Sequence, residues 1–378
     1  MLLALPCLCR HESKVIQEIV VRISSELNRR FSKTISKDLV GIDFRVDEML
    51  KNYLCEGLGD VRFVGICGMG GMGKTTLAQE IYGRISGNFE ASSFIANVRE
   101  ETRNQGLVSL QKQLLSKILV PSEIRISKVS EGIDVIGNRL RNIRVLIVLD
   151  DVDEVEQLEA LAGKHDWFGL GSRIILTGRN RHLLRGHGAN DIYAIKGLSD
   201  YEALLLFSYR AFEEPDPKKD YVELSKDFVN YSSGHPLVIT VVGASLFAKG
   251  IDEWKTALDK LKETSGCILD VLKMGFDKMM DVQKELFLDI ACFFKGENIN
   301  CIRDILKAFG YYPDYNIGVL MDRSLITIDA QGTLWMHDLL QEMGQKIVLS
   351  ECSYEPGLRS RLWNYTDVLH VLRDNTVS

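Results

Sequence analysis

Long apolar runs are missing from this chain. Nowhere does it reach the ~18 consecutive apolar residues that a membrane span needs. The opening MLLALPCLCR is apolar, but it lacks a basic n-region and is too short for a secretory h-region with its cleavage site. An excess of positive charge is missing too. Lys and Arg number 46 against 52 Asp and Glu, a net charge of −6, so no global field recruits nucleic acid. With 7 prolines and no low-complexity tract, long disordered linkers are not expected. The 8 cysteines (7, 9, 55, 67, 267, 292, 301 and 352) form no Cys-x-x-Cys pair, which argues against a zinc site. Cys67 in FVGIC and Cys292 in DIACFF instead read as reduced thiols in apolar surroundings. These absences point to a soluble protein without a membrane partner. The expected compartment is the cytoplasm, with the nucleus as the alternative.

A chain of 378 residues has room for two or three domains. Ile16, Val20, Ile23 and Leu27 mark one face of an amphipathic helix over 14–30, whose charged face reads as solvated. From residue 61 an α/β rhythm begins: strand candidates at 61–67, 91–98, 144–152 and 172–177, with helical spacing between them, predict a doubly wound parallel sheet. Helical patterns at 200–212, 219–233, 236–248 and 252–263 then predict an all-α bundle. Further helical blocks follow at 268–294 and 301–309. Residues 316–348 read as helix, hairpin, helix, with Ala330-Gln331-Gly332 as the turn, the pattern of a winged helix. The expected division is 1–38 as an N-terminal segment and linker helix, 39–190 as a phosphate-binding α/β domain, 191–263 as the helical bundle, 264–352 as the winged helix and 353–378 as a C-terminal linker.

Residues 68–76 read GMGGMGKTT and match G-x-x-x-x-G-K-[ST], with an apolar strand before and a helix after. A chance match in a chain of this length is about 1%, and the strand–helix context lowers it further. Gly68, Gly70, Gly71 and Gly73 let backbone N–H groups converge on phosphate, and the helix N-terminus adds positive potential. In this P-loop Lys74 would bridge the β- and γ-phosphates and Thr75 would ligate Mg²⁺, with Thr76 completing the set. At the end of VLIVLDD, Asp150 would hold the Mg²⁺ and Asp151 would orient or deprotonate an attacking water, which makes Lys74, Asp150 and Asp151 the catalytic candidates. Both aspartates could instead cap the helix that follows. Arg179, after a further strand ending in Thr177, is a candidate γ-phosphate sensor, with a solvated basic loop as its competitor.

In order along the chain, GMGGMGKTT, VLIVLDDVD, GSRIILTGRN, YAIKGLSDYEALLLFSYRAF, GHPLVITVVGASL, FLDIACFFKGE and MHDLLQEMG resemble the NB-ARC module of plant disease-resistance proteins. The likeness covers roughly residues 11–378 and is strongest to the class with an N-terminal TIR domain and C-terminal leucine-rich repeats. It implies a P-loop NTPase domain, a helical bundle and a winged helix that close around ADP, exchange for ATP, opening and assembly into an oligomer. It implies that His337 contacts the ADP β-phosphate with Asp338 in support, that Pro236 packs near the adenine, and that Val40–Ile42 lie against the base. Without the resemblance, Asp338 would be read as a helix N-cap and His337 as a strand-end histidine. Two departures stand out: GLPL reads GHPL, with His235, and T-T-R reads Thr177-Gly178-Arg179, in which Gly178 would loosen the loop carrying Arg179.

Residues 14–30 resemble the linker after the TIR domain, and 358–372 the segment before the repeats, so neither TIR catalysis nor sensing by repeats is expected of this polypeptide. The function implied is an ADP/ATP-dependent switch in plant defence signalling, with slow, Mg²⁺-dependent hydrolysis that resets it. The alternative is an ADP-locked module that binds and modulates full-length resistance proteins. A turnover ATPase or small-molecule kinase would need an acceptor pocket and a lid, for which no segment offers itself. DNA binding is disfavoured because Asp322, Asp329, Asp338 and Glu342 make the winged helix acidic.

Overall fold

A computed structural model of the chain describes residues 39–54, 59–118, 126–262 and 268–374. The helix expected over 14–30, and Cys7, Cys9, Cys55 and Cys267, lie outside the described residues. The chain divides into two compact units, Met1–Lys196 and Gly197–Ser378. Among the described residues, no helix is long and apolar enough to cross a membrane.

The first unit follows the α/β rhythm. After α1 (Ile42–Glu48) come β1 (Arg62–Cys67), α2 (Lys74–Ile85), β2 (Ala91–Ile95), α3 (Val98–Gln105), α4 (Leu107–Ile118), α5 (Val129–Leu140), β3 (Val145–Val152), α6 (Val155–Ala162), β4 (Arg173–Gly178), α7 (Arg181–Gly186) and β5 (Asp191–Ala194). The five strands form one parallel sheet in the order β2-β3-β4-β1-β5. A parallel sheet covered on both faces needs strands with continuous apolar centres, which FVGIC of β1 and VLIVL of β3 provide. One face packs Phe63, Ile147, Leu149 and Leu176 against α4, α5 and α6, and the other packs Val64, Ile66, Leu146 and Val148 against α1 and α2.

Two expectations change here. β5 joins the sheet beside β1, so the sheet extends past residue 190 into the stretch assigned to the helical bundle. The strand expected at 91–98 ends at Ile95, and α3 begins at Val98. The reason is Asn97, whose left-handed φ of 50° turns the chain, a conformation that Asn tolerates better than most residues.

The second unit begins with a bundle of α8 (Asp200–Phe212), α9 (Val222–Ser232), α10 (Pro236–Leu246) and α11 (Ile251–Lys262). Its hub is Trp254, 1% exposed, whose indole N–H donates to the Leu246 carbonyl at 3.2 Å while Phe207, Phe212, Tyr221 and Phe228 surround the ring. Then follow α12 (Ile268–Asp277), α13 (Asp281–Asp289), α14 (Ile299–Ala308), α15 (Pro313–Asp322), β6 (Thr327–Ile328), β7 (Leu334–Trp335), α16 (Asp338–Glu351) and α17 (Tyr365–Asp374). β6 and β7 pair antiparallel across a turn with Gly332 at φ 83°, the wing of a winged helix. The segment expected to be a separate linker is fastened to it instead. Arg361 is buried between Asp289 and Glu285 of α13, and Ser360 N–H donates to Glu351 at 2.7 Å.

Candidate functional site at the carboxyl edge of the parallel sheet

The sheet order sets the site's layout. β1 and β3 are not hydrogen-bonded neighbours, because β4 lies between them. The carboxylate therefore comes from the strand after next, and the end of β4 bridges the gap. Ligands of open α/β sheets bind at this carboxyl edge.

Gly71 and Gly73 adopt left-handed φ values of 75° and 89°, which only glycine takes without strain. Gly68 is needed for another reason: a Cβ there would stand 2.4 Å from Ile195 Cγ2. Gly70 is buried within the same loop. Gly73 leads into α2, so the free N–H groups of its first turn face the loop's concavity. Lys74 is 7% exposed, and its ammonium donates to the Met69 carbonyl at 2.7 Å. Burial lowers the Lys74 pKa and the neighbouring Arg179 charge adds to this, while Asp151 and Asp150 oppose both. Arg179, exposed just beyond β4, thus acts electrostatically on the same edge as Lys74. Thr76, in the first turn of α2, is half-buried.

Asp150 is fully buried. Its Oδ1 accepts from Thr177 Oγ1 at 2.6 Å and from Thr75 Oγ1 at 2.9 Å, its Oδ2 lies 3.1 Å from Thr75 Oγ1, and the Asn97 N–H also bonds the carboxylate. Burial pushes the Asp150 pKa up, partly countered by the two hydroxyls, with the Asp151 charge raising it further. The β3–β4 register shifts between Leu149 and Val152, a bulge in which Asp151 takes φ 56°. The Asp151 N–H donates to Thr177 Oγ1 at 2.9 Å, and its Oδ2 lies 2.8 Å from Arg99 Nη2. Neither aspartate caps the following helix: that position is Glu154, with Gln157 closing the capping box.

Expectation and structure also part at Gly178. It does not loosen a loop. It is the last residue of β4, paired with Cys67 and Val152, and a Cβ there would lie 2.9 Å from the Val152 carbonyl. Val40 and Ile42 flank Gly41, and Ile42 packs on the cluster of Val64, Leu77, Ala78 and Ile195.

The remaining candidates belong to the second unit. Pro236 is the first residue of α10, and the departure His235 has a local purpose: buried at the N-cap, its Nδ1 accepts from Val238 N–H at 3.4 Å. His337, not Asp338, is the N-cap of α16. Its Nδ1 accepts from Leu339 N–H at 3.1 Å, which puts the proton of a neutral ring on Nε2. Asp338 is the first helical residue and pairs with Lys295 Nζ at 2.8 Å.

The loop amides, Lys74 and the helix N-terminus together suit an anionic polyphosphate. The hydroxyl–carboxylate pair of Thr75 and Asp150 offers the hard oxygen ligands that Mg²⁺ takes. Sequence reasoning missed Asn97, Arg99 and Lys295 as members of these clusters. For Asn97 there was a signal, a left-handed-tolerant residue directly after a strand. For the two cations there was none, since their partners lie 52 and 43 residues away along the chain.

With this geometry in hand, comparison with known proteins identifies the chain's relatives. The NB-ARC domain model matches residues 45–217, and the winged-helix domain model of Roq1-like disease resistance proteins matches residues 281–352. The chain is 43% identical over 359 residues to disease resistance protein RUN1 of Vitis rotundifolia, covering 94% of this chain and 27% of that protein. It is 39% identical over 374 residues to TMV resistance protein N of Nicotiana glutinosa, covering 97% and 32%. The chain therefore spans about a third or less of the length of these relatives. A solved STAND-class signal transduction ATPase with a tetratricopeptide repeat sensor from Pyrococcus horikoshii shares the fold at a TM-score of 0.52 and 16% identity, covering 84% of this chain and 43% of that one. The chain belongs to the NB-ARC family, with a winged helix of the disease-resistance type.

Proposed function

We propose that this chain is the nucleotide-operated switch module of a plant disease-resistance protein, closed with ADP and activated by exchange for ATP. One observation carries the reading: Thr75 and Asp150, 75 residues apart, are brought within 2.9 Å beside the buried Lys74. The likeness to resistance proteins supplies the biological setting.

In this reading the amides of Gly68–Gly73 and Lys74 hold the phosphates, Thr75 and Asp150 hold Mg²⁺, and Arg179 supplies charge toward a γ-phosphate. Bound there, the metal would neutralise charge on the β- and γ-phosphates. Asp151 orients the attacking water and takes its proton. Val40, Ile42 and Pro236 serve the adenine. His337, with a proton on Nε2, is a donor suited to the ADP β-phosphate, and Asp338 holds its place beside it through Lys295. Moving a two-state equilibrium from 1:99 to 99:1 takes about 5.5 kcal/mol of differential binding. A few charge-assisted hydrogen bonds to one phosphate, at about 1.5–3 kcal/mol each, reach that range. Slow hydrolysis then resets the state, and the ATP state is the one that assembles into oligomers.

The test is the nucleotide content of the purified protein, released by denaturation and separated by ion exchange. Near-stoichiometric ADP is expected. Protein that carries no nucleotide and takes up neither ADP nor ATP would overturn the reading.

A further inference from the structure

The aspartates at the end of β3 are held from one side by one stretch of chain, the β2–α3 turn and the helix α3 that follows it. The Asn97 N–H bonds the Asp150 carboxylate. Two residues on, Arg99 Nη2 meets Asp151 Oδ2 at 2.8 Å, with both side chains about one-fifth exposed. One helical turn later, Arg103 Nη2 meets Asp153 Oδ2 at 3.3 Å in a more exposed pair. The i,i+4 spacing of the two arginines puts them on one face of α3, and that face lies along the 150–153 segment.

Backbone geometry at both ends of this contact is unusual. Asn97 and Asp151 each adopt left-handed φ, at 50° and 56°, as non-glycine residues. Such conformations persist where surrounding bonds over-determine them. Here the bonds are the Asn97 N–H to Asp150, the Asp151 N–H to Thr177 Oγ1, and the Arg99–Asp151 ion pair. The β-bulge would by itself leave the Asp151 side chain several rotamers. The guanidinium engages Oδ2 and selects one of them, so the other carboxylate oxygen has a defined direction.

We propose that Arg99 is a positioning residue for hydrolysis, holding Asp151 so that it receives the proton of the attacking water. The inference rests on the reading of this sheet edge as an ATP site. In the step concerned, a water oxygen forms a bond to the γ-phosphorus and the bond to the β–γ bridging oxygen breaks. That oxygen keeps the electron pair and leaves as part of ADP, one water proton passes to Asp151, and inorganic phosphate results. Arg99 touches none of the reacting atoms. Its contribution is orientation, where small misplacements of a catalytic group cost large factors in rate.

Single-turnover hydrolysis of ATP and equilibrium binding of ATP and ADP would be compared in the full chain for wild type, Arg99→Ala, Arg99→Lys, Asp151→Asn and the Arg99→Ala/Asp151→Asn double variant. Arg99→Ala is expected to slow hydrolysis at saturating ATP by about tenfold with affinities within about twofold. Arg99→Lys should recover part of the rate, and the double variant should be no slower than Asp151→Asn alone. Wild-type rates in Arg99→Ala, additive losses in the double variant, or a parallel loss of affinity and thermal stability would each overturn the positioning role. If wild type binds and hydrolyses ATP, such a result removes the Arg99 inference alone. If wild type does neither, the site reading falls and takes the inference with it.

Discussion

Asp150 in the first unit and Asp289 in the second are both buried aspartates, but they are surrounded differently. Neutral donors hold Asp150: the hydroxyls of Thr75 and Thr177 and the N–H of Asn97. Asp289 meets the guanidinium of Arg361 and accepts from the Tyr311 hydroxyl at 2.6 Å. The pKa directions follow. Burial pushes Asp150 up, because hydroxyls only partly replace lost hydration. Burial alone would lower Arg361, but hydrogen bonds and charge from Glu285 and Asp289 reverse this and raise it, and Tyr311 is pushed up to about 12 by burial and its bond to Asp289. A carboxylate held by neutral groups keeps its capacity to attract a cation. One already matched to an arginine is committed to holding two segments together.

The largest expected effect breaks the matched cluster. Arg361→Ala leaves Asp289 buried without its cation and should cost about 3–5 kcal/mol in chemical denaturation. A loss below about 1 kcal/mol would mean the cluster behaves as a solvated surface pair. Next is Lys74→Arg. A compact ammonium in a glycine-lined loop is not replaced by a planar fork, so ATP and ADP affinity should fall by about a hundredfold in calorimetry, roughly 2.7 kcal/mol. Wild-type affinity in that variant would reject the phosphate site.

Asp150 sharpens the comparison through pH. Its folded pKa lies above the ordinary 3.8, so its favourable contribution is complete below the unfolded value and is lost as pH rises through the raised folded value. Without nucleotide or Mg²⁺, Asp150→Asn should therefore be more stable than wild type near neutral pH, with the gain shrinking as pH falls toward 3.8. Urea unfolding of both proteins from pH 4 to 7 measures this, and a gap that does not vary with pH would contradict the burial argument. The smallest effect concerns the second unit's helix cap. His337→Ala removes an N-cap and should cost about 1 kcal/mol. If His337 also contacts ADP, the nucleotide should leave faster from that variant and from Asp338→Val. Unchanged ADP off-rates in both would leave His337 as a cap alone.

Local chemistry made much of this protein legible. Glycines at 68, 70, 71 and 73 followed by Lys74 and Thr75 announce a phosphate loop, because backbone freedom and side-chain type are properties of neighbouring residues. Continuous apolar runs announce buried parallel strands, and 3.6-residue spacing announces the bundle, for the same short-range reason. The limits of this reading appear where neighbours in space are distant in sequence. Local pattern alone offered Asp338 as a cap of α16, but the cap is His337, and Lys295 engages the aspartate. It took Gly178 for a loosened loop, but the residue closes a strand against the Val152 carbonyl.

By itself, then, the sequence determined which segments become strand, helix and phosphate loop, and which residue types reach the sheet's carboxyl edge. Tertiary structure alone decided that β4 enters between β1 and β3, that a bulge turns Asp151 toward Arg99, and that Arg361 ties the C-terminal segment to α13. The reason is physical. Dihedral preference and hydrophobic periodicity act over a few residues, whereas strand order and ion-pair partnership depend on which surfaces meet once the chain has folded.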